Sequence, residues 1–264
     1  MQTLKSQFGV DGFYSPLRLI STEKALSYRQ SLELIEQKTG SLHYRFKIHT
    51  ALAMAYELAI NKTLLDSIEV LLGPNILLYN ATFVIKEPMT DAHVSWHQDL
   101  TYWGFNDDKQ VAAWIALSDA TQENGCMHMM PGSHKNGQLQ HKPTTDNNNV
   151  LYFGQTVDVV NDEQARCLSL KAGEVSLHHG WTLHTSYPNK SHERRIGLNL
   201  NYISTDMFQT QSEDDSALLV RGVDNCNHFK IDTPSTVTFD EAVWERLIDY
   251  EKLVHQTYNQ MNPT

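Results

Sequence analysis

Arg194-Arg195-Ile196-Gly197-Leu198-Asn199-Leu200-Asn201-Tyr202-Ile203-Ser204 is the stretch whose reading decides the fold. Side chains along a strand alternate between two faces. Ile196, Leu198, Leu200 and Tyr202 therefore share one face, while Arg195, Gly197, Asn199 and Asn201 share the other. The first face suits a dry core. The second is polar, with a cation at one end, and suits the lining of a cavity.

Working outward, strands are expected over 76–87, 111–118, 126–130, 166–170 and 174–179, separated by Gly, Pro, Asn and Asp clusters. Asn124-Gly125 is a hairpin signal between two of them. The first 75 residues read as helical. The run 22–38 lacks Gly and Pro and stops at Gly40, and two helices follow within 49–72, where Leu64, Ile68, Leu71 and Leu72 form one apolar stripe. A last helix is expected from Thr238, with Glu241 at capping-box spacing and Val243, Leu247, Tyr250 and Val254 on its apolar face. Many short strands after a helical prelude predict a mainly β protein with flanking helices, a cupin-like jelly roll (double-stranded β-helix). One domain over 1–264 is expected, with a helical part to about 74, a jelly-roll core over 75–204, and loops and a helix over 205–264. The irregular stretches 101–110, 139–165 and 205–235 are long enough to serve as lids or binding loops.

Composition narrows the function classes. Hydrophobic residues make up 41% and charged residues 20% of 264, an ordinary soluble balance. The net charge of −10 argues against nucleic acid, which requires a basic footprint. Cys126, Cys167 and Cys226 form no CxxC pair and are odd in number, which fits a reducing compartment. No apolar run has the length of a membrane span or the pattern of a signal peptide, so the cytoplasm is the expected location.

His97-Gln98-Asp99 carries the chemistry. On a strand, positions 97 and 99 present an imidazole and a carboxylate to the same side. One further histidine would complete a 2-His-1-carboxylate set, which leaves about three positions open on an octahedral iron. Among 13 histidines the tripeptide alone is weak, and a surface His and Asp is the competing reading. His178, His179 and His184 all compete for the third place, and zinc competes with iron.

The surrounding blocks add a resemblance. Trp96 precedes the tripeptide and Leu100-Thr101-Tyr102-Trp103 follows it. Downstream come Ala113-Trp114-Ile115-Ala116-Leu117-Ser118-Asp119, then Glu123-Asn124-Gly125-Cys126 leading to Pro131-Gly132-Ser133-His134. Further on are Gly173-Glu174-Val175-Ser176-Leu177-His178-His179-Gly180-Trp181-Thr182-Leu183-His184-Thr185-Ser186, then Pro188-Asn189 and Arg194-Arg195. With the opening Phe8-Gly9-Val10-Asp11-Gly12-Phe13, they resemble the phytanoyl-CoA dioxygenase family, which also contains ectoine hydroxylase, over about residues 8–225. The resemblance implies Fe(II) held by His97, Asp99 and His184, because Ser186 and then Arg195 follow His184 in the family order. It implies 2-oxoglutarate as co-substrate, with Arg195 gripping the far carboxylate, a bidentate task suited to arginine. Ser186, Trp114, Thr82 and Asn80 are the further residues it places around the co-substrate.

The implied reaction consumes O2, converts 2-oxoglutarate to succinate and CO2, and hydroxylates a small molecule. Desaturation, ring closure and epoxidation use the same site. Halogenation is disfavoured because Asp99 occupies the place a halide needs. A non-catalytic binding protein and a metal-dependent hydrolase or isomerase on the same fold are the competing classes. The substrate is not legible, nor is the oligomeric state. Gln98, Tyr102 and Trp103 are open as substrate contacts or as structural residues. Lys86, Lys142, Arg166 and Arg221 are the cations available to an anionic substrate.

Overall fold

The computed structural model describes residues 2–151, 155–158, 161–212, 214–248 and 251. Helix α1 (Gln2–Asp11), strand β1 (Phe13–Arg18) and helices α2 (Thr22–Thr39), α3 (Ala53–Ala59) and α4 (Lys62–Leu72) come first. The strands follow as β2 (Ile76–Lys86), β3 (Val94–His97), β4 (Gln110–Ala116), β5 (Met127–Met129), β6 (Lys142–Pro143) and β7 (Gln155–Thr156). After them come β8 (Arg166–Leu168), β9 (Glu174–His179), β10 (His184–Ser186), β11 (Arg195–Ser204), β12 (Ser216–Arg221) and β13 (Lys230–Ile231). A helix over 241–248, α5, comes last.

The strands form a seven-stranded sheet in the order β1-β9-β4-β11-β2-β12-β13, a four-stranded sheet in the order β3-β10-β5-β8, and a β6-β7 ribbon. Pairing is antiparallel except between β12 and β13. The large and small sheets enclose a cavity between them, which is the expected jelly-roll arrangement.

Strand β11 alternates as its sequence requires. Ile196, Leu198, Leu200 and Tyr202 are fully buried against the helices, together with Phe83 of β2, Leu32 of α2, Leu58 of α3 and Leu64 and Ile68 of α4. Each such Leu, Ile or Phe contributes roughly 1.5–3 kcal/mol by leaving water. The helices begin where their caps lie. Ser21 accepts from Lys24 N at the start of α2, and Asn61 accepts from Thr63 N and Leu64 N at the start of α4. A register shift at Asn201/Tyr202 leaves Tyr79 as an extra residue on β2, between Asn80 opposite Asn201 and Leu78 opposite Tyr202. This bulge lets both Tyr79 and Asn80 line the cavity.

Four expectations are corrected. The helical prelude contains a strand, since β1 pairs with β9 at the edge of the large sheet. Asn124-Gly125 does make a tight turn, with Cys126 N donating to Thr121 O at 2.9 Å. It joins β4 to β5, however, and these belong to different sheets, so no hairpin forms. The last helix starts at 241 and is capped by Asp240, which accepts from Val243 N, in place of the Thr238 capping box. Tyr250 and Val254 of its expected apolar face lie outside the described residues. Finally, β3 ends at His97, and Asp99 opens a 3-10 turn. Gln98 remains extended (φ −123°, ψ 128°), so the alternation still brings Asp99 to the side of His97.

Candidate metal centre

Strand β10 runs antiparallel to β3 with His184 directly opposite His97, and their rings lie 4.0 Å apart. Asp99 Oδ1 sits 3.4 Å from His97 Nε2 and 3.6 Å from His184 Nε2. The three ligand atoms lie within 4.8 Å of one another. His97 Nδ1 is 2.9 Å from Ser95 O, and His184 Nδ1 is 3.0 Å from Thr182 O. A carbonyl accepts only from N–H, so each ring carries a proton on Nδ1 and leaves Nε2 as the atom that faces Asp99.

The electrostatics agree with this donor set. Burial pushes the Asp99 carboxyl up, but His184, His178 and His97 outweigh it and hold the group well below the ordinary carboxylate range. Burial, with His97 beside it, holds His184 well below the ordinary imidazole range. Two imidazoles and one carboxylate suit non-haem iron.

His178 reaches across from β9 of the large sheet, its Nε2 3.2 Å from the other oxygen of Asp99. It orients the carboxylate and is not a third ligand facing His97. His179 points elsewhere, toward Asp108 at 3.8 Å.

The second half of the cavity is built on β11 and β2. Arg195 is 1% exposed, and its guanidinium carbon lies 5.1 Å from the Trp114 ring. Nη1 donates to Gly125 O at 2.9 Å, while Nε and Nη2 have no partner among the described residues. Burial draws the Arg195 pKa down to about 10, which leaves it charged at neutral pH. Lys86, directly opposite on β2, donates to the Ser186 and Tyr187 carbonyls. Burial and the Arg195 charge draw it down to about 6, so Arg195 carries the charge here.

Two glycines make room for this arrangement. A Cβ on Gly197 would fall 2.0 Å from a Trp114 ring atom, so the indole can lie over β11 only at a glycine. Gly125 has φ +76°, and a Cβ there would meet Tyr187 O at 2.1 Å.

Ser186, Trp114, Thr82 and Asn80 all line the same cavity, of about 230 Å³, together with His97, Asp99, His184 and Arg195. Thr82 Oγ1, Asn80 Nδ2, Asn199 Oδ1 and Asn201 Nδ2 are buried without partners among the described residues. Unpaired buried polar atoms on one concave face mark a place for a polar ligand.

Other expectations divide. Tyr102 and Trp103, Leu151, and Gln209 and Gln211 bring one lining contribution from each of the three long loops. Gln98 is structural: its side chain bonds to Gly137 O, Trp181 O and Leu139 N. Lys142, Arg166 and Arg221 pair with surface carboxylates away from the cavity. Sequence reasoning missed Tyr44, Phe46, Lys47, Tyr79 and Met127 in the lining. Nothing in the helical reading of residues 1–75 signals the first three, which come from an irregular segment.

The two-sheet β fold, a His-x-Asp tripeptide facing a distant histidine, and a buried arginine across the cavity define the class of non-haem iron oxygenases that use a 2-oxo acid. The phytanoyl-CoA dioxygenase (PhyH) family matches residues 12–197, and the chain belongs to this family of iron- and 2-oxoglutarate-dependent dioxygenases. It is 27% identical over 205 residues to a probable alpha-ketoglutarate-dependent hypophosphite dioxygenase of Stutzerimonas stutzeri, covering 75% of this chain and 71% of that one. It is 29% identical over 130 residues to a phytanoyl-CoA dioxygenase of Arabidopsis thaliana, of which it spans 45%, matching 49% of its own length. Among solved structures it resembles ThoJ, a non-heme monooxygenase in its apo form, with a TM-score of 0.83 and 28% identity over 97% of this chain and 99% of that one. Among the described residues no helix is long and apolar enough to cross a membrane.

Proposed function

We propose that this chain oxidises a small molecule, most directly by hydroxylation, while converting 2-oxoglutarate to succinate and CO2. His97, Asp99 and His184 hold the iron. Arg195 grips the far carboxylate of 2-oxoglutarate, with Ser186, Trp114, Thr82 and Asn80 around it. The observation that carries the reading is Arg195: a fully buried cation with two N–H groups unpartnered, facing the same cavity as the three metal ligands. A buried guanidinium left half-satisfied is costly unless an anion completes it.

Iron bound at these residues supplies oxygen activation. The chain's own contribution is placement. The carbonyls of Ser95 and Thr182 fix both imidazole tautomers, His178 holds the carboxylate, and the wall around Trp114 keeps water from Arg195. Asp99 fills the position a halide would take, so products should gain oxygen, or be desaturated, cyclised or epoxidised, without chlorine. The aromatic lining near Tyr102 and Trp103 suits an organic metabolite, and no cluster of cations for a nucleotide phosphate lines the cavity among the described residues. One domain and a cytoplasmic setting complete the reading. The test is succinate formation across a panel of small metabolites with Fe(II), 2-oxoglutarate and O2. A protein that binds iron but never 2-oxoglutarate would defeat the proposal.

A further inference from the structure

The small sheet carries a second cluster of metal-binding side chains on its other face. On β10 and β5, His184 lies opposite Met129, Thr185 opposite His128, and Ser186 opposite Met127. Alternation therefore sends His128 away from the side that holds His184 and Ser186. On the next strand Cys167 lies directly opposite His128. Cys126 precedes His128 by one full pleat and shares its face. The two sulfurs are 3.1 Å apart, and with a ring nitrogen of His128 they form a set within 4.8 Å of one another. The Ser169 hydroxyl stands 3.9 Å from Cys126 Sγ and 3.7 Å from Cys167 Sγ. Cys126 and His128 are buried, while Cys167 is exposed and gives an entry path. The oxygenase reading uses none of these residues.

We propose that Cys126, His128 and Cys167 form a second metal site, which takes one soft or borderline ion, Zn(II) or Cu(I). Two thiolates and an imidazole select such ions over the hard cations that prefer oxygen. Two sulfurs on one tetrahedral zinc sit about 3.8 Å apart, given Zn–S bonds of about 2.3 Å, so the pair here must open only slightly. Binding releases the two thiol protons to solvent; the two thiolates then balance the charge of Zn(II) and leave a Cu(I) site with one negative charge. A simple disulfide would account for the cysteines but gives no role to the imidazole placed beside them.

The site has a position from which to act. Cys126 and Cys167 are separated by 41 residues, and the segment between them supplies Leu151 to the cavity and His141 to the Gln98 N–H. An ion at the neck ties both ends of that segment, as closing a loop in the folded state does. Cys126 also follows Gly125, whose carbonyl anchors Arg195.

The experiment is a Co(II) titration of the reduced full-length chain without oxygen. Sulfur-to-cobalt charge transfer reports thiolate ligation, which the nitrogen and oxygen ligands of the iron centre cannot produce. The thiolate band should saturate within two equivalents, one for each site, and Zn(II) should erase it. The band should survive His184→Ala. Cys167→Ser and His128→Ala should each weaken the affinity by about tenfold or more, with circular dichroism showing the fold retained. Because Cys167 is exposed, its replacement tests the site even if Cys126→Ser fails to fold. Absence of a thiolate band, or a band unchanged by Cys167→Ser, overturns the proposal. So does ready disulfide formation with dilute peroxide in a protein whose reduced form binds no cobalt through sulfur.

Discussion

Replacing Arg195 with Met removes the charge while keeping an apolar stem over Trp114. In the wild type the two unpartnered N–H groups, Nε and Nη2, are available to one carboxylate, in a position 1% exposed to water. Loss of one member of a buried charge pair weakens binding by roughly 2–5 kcal/mol. At about 1.4 kcal/mol per decade, 2-oxoglutarate should bind roughly 30- to 4000-fold more weakly. Iron affinity should be unchanged, since Arg195 touches none of the three metal ligands. The assay is an anaerobic titration of 2-oxoglutarate into the Fe(II)-loaded protein, followed by calorimetry and by the visible charge-transfer band. Arg194→Ala serves as the control. Arg194 points outward and pairs with Glu36 at 2.9 Å and Glu87 at 2.7 Å, so its loss should leave 2-oxoglutarate binding intact. An Arg195→Met protein whose affinity stays within about threefold of the wild type would refute the reasoning.

His97→Ala or His184→Ala should abolish the charge-transfer band, whereas His179→Ala should keep it; the reverse pattern would reassign the ligand. Gly197→Ala drives a methyl group into the Trp114 ring, so stability should fall by about 1–3 kcal/mol in denaturant melts and 2-oxoglutarate should bind less well. The Lys86 pKa falls from its ordinary 10.5 to about 6 on folding, chiefly through burial and then through Arg195. Between those values the unfolded chain binds more protons, so the ligand-free protein should gain stability as pH rises through this window. Lys86→Met should flatten that rise, and an unaltered pH profile in chemical denaturation would count against the shift.

The alternation of 195–202 made one face of β11 readable as core and the other as cavity lining, and both faces stand as the sequence implies. Strand β9 was legible to the residue, because its pattern and its flanking turn are local. The N-terminal strand was not. Phe13, Tyr14 and Leu17 read equally well as part of a helical segment, and only pairing with β9 makes them a strand. Asn124-Gly125 signalled a turn correctly, but a turn does not state which sheet receives the next strand.

By itself, then, the sequence determined the residue types of the site and their order: an imidazole and a carboxylate two positions apart, a distant histidine, and an arginine on a polar strand face. These depend on backbone periodicity, which acts over a few residues. Tertiary structure alone decided which histidine stands opposite His97, that His178 reaches Asp99 from the other sheet, and that Arg195 keeps two N–H groups free. It also decided that Cys126, His128 and Cys167 meet. Such distances arise from strand register and sheet packing, which join residues far apart in the chain and leave no local pattern to read.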